Sequence, residues 1–116
     1  ILKREDGRID WDKSAEEIER QIRAFSGWPE RFFVWKRGGA ELKIKLLEAD
    51  IIPRQLGGLA AELANGETFL IEKRRIGAKT GGDCLEILKL QPEGKNPQDA
   101  KSFLNGYPDF IGAVLE

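Results

Sequence analysis

Leu42-Lys43-Ile44-Lys45-Leu46 decides the fold. Apolar residues alternate with lysines at period two, so an extended strand here has one apolar face and one charged face. Upstream, Arg31-Phe32-Phe33-Val34-Trp35-Lys36 is rich in aromatics and reads as a strand. Arg37-Gly38-Gly39 can turn the chain between the two. Downstream, the alternating strand runs to about Ile52 and stops at Pro53. Asn65-Gly66 is a hairpin turn signal ahead of Phe69-Leu70-Ile71. Gly81-Gly82-Asp83 is another turn, ahead of Leu85-Glu86-Ile87-Leu88-Lys89-Leu90. Residues 56–63 read as a strand entering the Asn65-Gly66 turn, although Leu59, Ala60 and Leu63 also share helical spacing.

Helices flank these strands. Ser14 with Glu17 three residues on is a capping box, and Glu16, Glu17 and Glu19 suit the positive end of a helix dipole. Ile18, Ile22 and Phe25 then make one apolar stripe, which predicts a helix over residues 15–25. Gly27 and Pro29 end it. A second helix is expected from Asn96-Pro97, with proline in its first turn, ending near Asn105-Gly106. A helix, about five short strands and a terminal helix describe a mainly β domain with flanking helices, an OB-like open β-barrel. Residues 1–7, charged and ending in glycine, read as a linker from an upstream domain, and residues 8–116 as a single domain.

Composition narrows the chemistry. The chain has 116 residues, 41% of them hydrophobic and 34% charged, the balance of an ordinary globular domain with one core. It contains no histidine, and most acid–base sites and nucleophile arrangements need one. No catalytic residue is therefore expected within these residues. The single cysteine, Cys84, can form neither a disulfide framework nor a cysteine/histidine zinc site. It reads as a packed thiol and points to a reducing, cytoplasmic setting. No metal site is expected.

The formal net charge is −1, but its distribution is uneven. Residues 31–95 carry 12 basic and 9 acidic side chains, a local +3, so an anion-facing surface belongs in the middle of the chain. Lys73-Arg74-Arg75 with Lys79 is the densest basic cluster and reads as a basic loop that can neutralise phosphates. Lys43, Lys45 and Lys89 face outward from strands, where they either track a nucleic-acid backbone or blunt a sheet edge. Lys95, in the loop Gln91-Pro92-Glu93-Gly94-Lys95, can project toward a phosphate. Phe32, Phe33 and Trp35 belong mostly to the core. Arg23 lies at the margin of the helix stripe and can snorkel, pair with Asp10 or Asp12, or dock against another domain.

Three segments together resemble one family. Arg8-Ile9-Asp10-Trp11, Ser14-Ala15-Glu16-Glu17-Ile18 and Gln21-Ile22-Arg23-Ala24-Phe25 with Trp28-Pro29 look like the opening of the C-terminal domain of methionyl-tRNA formyltransferases. Leu90-Gln91-Pro92-Glu93-Gly94-Lys95 looks like that family's signature near its end, and Ala100-Lys101-Ser102-Phe103-Leu104-Asn105-Gly106 resembles the helix after it. The resemblance implies an OB-like barrel joined to an N-terminal Rossmann-like domain that binds 10-formyltetrahydrofolate and carries the catalytic set. It implies an accessory role here, in which Lys43, Lys45, Lys73, Arg74, Arg75, Lys79 and Lys95 contact the phosphates of initiator tRNA. Trp11, Ile18, Ile22, Phe25 and Trp28 would be structural. The alternative is a packing or oligomerisation domain of a sugar-nucleotide or folate formyltransferase that does not touch tRNA, which the near-neutral charge favours.

Overall fold

The computed structural model describes residues 7–24, 30–52, 62–72 and 74–116. The first helix, α1, spans Ala15–Ala24. The Ser14 hydroxyl accepts from the Glu17 backbone N–H at 3.2 Å, as the capping pattern requires. Ala15, Ile18 and Ile22 are buried against the sheet. Phe25 and Trp28 lie outside the described residues. Arg23 pairs with neither aspartate: it is solvent-exposed and bonds Glu19 one turn back at 3.0 Å. Residues four apart are neighbours on a helix face, which puts Glu19 within reach.

Strands β1 (Phe32–Arg37) and β2 (Ala40–Ile52) form a hairpin closed by the Arg37↔Ala40 pair, with Gly38 at φ 61°. Four more strands follow: β3 (Thr68–Ile71), β4 (Arg75–Lys79), β5 (Cys84–Pro92) and β6 (Gln98–Asp99). The spatial order is β1-β2-β5-β4-β3, with β6 on β5, and every pairing is antiparallel. The sheet curls into the open barrel expected. Helix α2 (Ala100–Gly106) and a short 3-10 turn (Pro108–Phe110) cover one mouth.

Both long strands change face at the same rung. On β2 the residues that pack on the core are Leu42, Ile44 and Leu46, then Ala49 and Ile51. On β5 they are Leu90, then Ile87 and Leu85. Each strand advances three residues at the step, where Glu48 pairs irregularly with Lys89. Leu88 and Lys89 are thereby left exposed. Because both strands slip together, Ile51↔Leu85 keeps the register of Ile44↔Pro92. Beyond the step, Ile52, Ile71 and Cys84 point the other way and make a second small cluster with Leu63 and Phe69. Burial raises the Cys84 thiol above its ordinary range, so this thiol is packed rather than reactive.

The chain's last residues run between the two free edges of the sheet. Val34 and Glu116 exchange both backbone hydrogen bonds, at 2.8 and 2.9 Å. On the other side Thr68 N–H donates to Ala113, and Leu115 N–H to Gly66, each at 2.8 Å. The buried Thr68 hydroxyl donates to the Phe110 carbonyl at 2.5 Å. Residues 112–116 therefore tie β3 to β1, satisfying edge groups that a curled sheet would otherwise expose.

Two expectations need correction. Residues 75–79, read as part of a basic loop, form β4, with Ile76 and Ala78 fully buried. Two arginines and a lysine around a short apolar stretch masked its alternation. Helix α2 begins at Ala100, not Asn96-Pro97, because Gln98-Asp99 pairs with β5 and Asp99 is the N-cap, accepting from Ser102 N–H at 2.8 Å. The turn expected at Asn65-Gly66 is present, with Gly66 at φ 89°. The strand expected over residues 56–63 falls largely outside the described residues.

Gly77 sits across from Phe69, whose ring lies over the position a side chain would take. Gly77→Ala should therefore lower stability by about 1–3 kcal/mol through overpacking, read as a reduced denaturant midpoint at unchanged slope. Combining it with Phe69→Leu should recover part of the loss; no recovery would locate the strain elsewhere.

Candidate functional site

Of the seven basic residues singled out in the sequence, the six that are described do not form one surface. Along β5, Lys79 pairs at Cys84, whereas Lys43 meets Glu93 just beyond Pro92. Nine residues of strand separate these levels, a path of roughly 30 Å. Lys73 lies outside the described residues.

At the Lys79 end, one of Arg74, Arg75 and Lys79 is matched to a carboxylate among the described residues. Arg75 makes a two-pronged contact with Glu86, Nε to Oε2 at 2.8 Å and Nη2 to Oε1 at 2.7 Å. That hydrogen bonding, and then the carboxylate's charge, raise the Arg75 pKa further. Glu86 is 8% exposed, so Arg75 serves chiefly to satisfy a buried acid. Arg74 bonds the Asn105 side chain and borders a hollow of about 320 Å³ lined by Leu70, Leu104, Pro108 and Ile111. Lys79 is half-buried beside Cys84.

The other end is different. Lys43 and Lys45 share the outer face of β2. Lys45 is held by Glu30 at 2.6 Å. Lys43 Nζ lies 4.1 Å from the centre of the Phe32 ring. Lys95 Nζ donates to the Tyr107 hydroxyl at 3.2 Å. Lys43, Lys95 and Tyr107 line one cleft of about 370 Å³, together with Glu41, Leu42, Pro92 and Glu93. Among the described residues neither Lys43 nor Lys95 has an ion-pair partner.

Below the cleft is a packed aromatic block. Tyr107 stacks on Phe103 at 4.8 Å and meets Trp35 edge-on at 5.8 Å. Trp35 meets Phe110 at 5.1 Å. The Arg37 guanidinium lies 5.2 Å from the Tyr107 ring centre and is clamped by Asp109, Nε to Oδ2 at 2.6 Å. Phe32, Phe33 and Trp35 are buried, as expected of core residues. Sequence reasoning missed Arg37, Tyr107 and Asp109. The i to i+2 spacing from Trp35 to Arg37 on a strand was the available signal, but Asp109 is remote in sequence.

With this geometry in view, the chain's kinship is clear. Residues 1–108 match the family "Formyl transferase, C-terminal domain", and the chain belongs to that family. It is also 39% identical to the methionyl-tRNA formyltransferase of Treponema denticola over 117 aligned positions, which take in all of this chain and 35% of that relative. The chain thus spans about a third of the length of the curated relative it matches. No helix among the described residues is long and apolar enough to cross a membrane.

Hydrogen bonding from Arg37 holds the Asp109 carboxyl below the usual aspartate range. The folded state then binds fewer protons than the unfolded chain just below that range. The pair's contribution to stability is present above it and is lost as pH falls through the folded-state value. Carboxyl-carbon NMR should show Asp109 titrating below about 3.9, and Arg37→Gln should return it toward that value. An Asp109 midpoint unmoved by Arg37→Gln would show that the contact is not formed in solution.

Proposed function

We propose that this chain is the C-terminal accessory domain of a methionyl-tRNA formyltransferase and helps hold initiator methionyl-tRNA by its phosphates. Formylation itself, from 10-formyltetrahydrofolate, belongs to a Rossmann-like N-terminal domain of the same protein. The reading rests on kinship with the Treponema denticola enzyme across the whole chain. The observation that carries the tRNA role is the cleft that Lys43 and Lys95 both line, neither with a carboxylate partner among the described residues. Ammonium groups that are free in the unbound protein gain from displacing counterions on a phosphate backbone. Such contacts position an RNA and carry no base sequence. Within the proposal, Lys43 and Lys95 do most of the work and Lys45 supports them. Lys79 lies far along β5 from the cleft, Arg74 is held by Asn105, and Arg75 belongs chiefly to the fold; Lys73 lies outside the described residues.

In the intact protein carrying this chain, Lys43→Ala and Lys95→Ala should each weaken binding of initiator tRNA. Each should also reduce the slope of log affinity against log salt by about one. Arg75→Gln should instead lower the Tm by roughly 5 °C with little change in that slope. Unchanged affinity in both lysine variants at low ionic strength would favour a packing or oligomerisation role in a formyltransferase acting on another acceptor, to which the near-neutral charge of the chain is well suited.

A further inference from the structure

Two carboxylates, Glu41 and Glu93, line the same cleft as the two lysines. Its net charge is therefore close to nil, and attraction alone does not explain a phosphate seat. What matters is where the ammonium groups point. A lysine has a long flexible stem and three donors. Left loose beside glutamates, it would collapse onto them.

Lys95 instead donates to a neutral hydroxyl, that of Tyr107. Such a bond restrains the ammonium without cancelling its charge, and leaves two N–H donors free. Tyr107 is itself immobilised. Phe103 stacks on it, Trp35 abuts it, and the Arg37 guanidinium, clamped by Asp109, lies against it. With one face taken by Phe103 and cations at 5.2 and 5.8 Å from its centre, the ring is not open for a base to stack. The hydroxyl is the part of the residue that reaches the cleft chemistry.

We infer that Tyr107, anchored by the Arg37–Asp109 pair, is a positioning residue that aims the Lys95 ammonium at a single phosphodiester group. This rests on the tRNA reading of the cleft and adds to it a residue that does not itself carry charge. The requirement is geometric: the seat works because the Tyr107 hydroxyl fixes where the Lys95 ammonium points, not because the cleft is strongly positive.

The test is a double-mutant cycle on the intact protein, with initiator tRNA binding measured at several salt concentrations. Tyr107→Phe keeps the stacked ring and removes only the hydroxyl, so Tm should stay within about 2 °C of the parent. Affinity should fall roughly three- to tenfold, the worth of one hydrogen bond, while the salt slope stays put because Lys95 keeps its charge. In a Lys95→Ala background the same change should cost less than about twofold, since Tyr107 acts through Lys95. Loss of affinity in Lys95→Ala but none in Tyr107→Phe overturns the positioning role and leaves the tRNA reading intact. Equal losses from Tyr107→Phe in both backgrounds overturn it too, because Tyr107 would then act independently of Lys95. If neither Lys43→Ala nor Lys95→Ala weakens binding, the tRNA reading of the cleft fails and this inference fails with it.

Discussion

Antiparallel pairing of β2 with β5 is the constraint on which the rest of the molecule depends. These two strands form the middle of the sheet, and β1, β4 and β6 all attach to them. A slip of one residue in such a pair would send each side chain to the opposite face. Here both strands change face together at Glu48 and Lys89, and the register survives. That shared step lets a long strand follow the curve of a barrel. It also decides that Ile44 and Leu46 join the main core whereas Ile52 joins a second cluster on the outside.

The cleft is a direct consequence of the same register. Lys43 accepts the Glu93 N–H across the end of the β2–β5 ladder, so the loop that carries Lys95 must begin beside it. The loop then folds back on itself: Gln91 bonds the Lys95 carbonyl at 2.8 Å, and Lys95 N–H bonds the Pro92 carbonyl at 3.0 Å. The aromatic block under α2 raises Tyr107 to meet it. Fold and site are thus one packing problem, since the residues that fill the barrel mouth also restrain the ammonium above it.

Much of this was legible from the residue pattern. Alternation at Leu42, Ile44 and Leu46 identified β2, the Ser14–Glu17 spacing identified the start of α1, and a run of aromatics identified β1. These are local signals, set by the period of a strand or by orphan N–H groups at a helix end. β4 escapes the residue pattern because its short apolar stretch, Ile76-Gly77-Ala78, contains no large alternating pair and is buried by partners on both sides. The start of α2 was placed too early because Gln98-Asp99 is drawn into the sheet by β5, a non-local partner.

By itself the sequence determined the class of fold, the apolar faces of the main elements, the absence of histidine chemistry and a moderate basic excess in its middle. Those properties depend on residue type and on spacing along the chain. Only the tertiary structure decided which cations remain available. Arg75 is matched to Glu86, Lys45 to Glu30 and Arg37 to Asp109, across sequence separations of 11 and 72 residues for the arginines, whereas Lys43 and Lys95 rest on aromatic groups. The charge of a side chain is written in the sequence. Whether a carboxylate already neutralises that charge depends on which distant residues the curled sheet brings beside it.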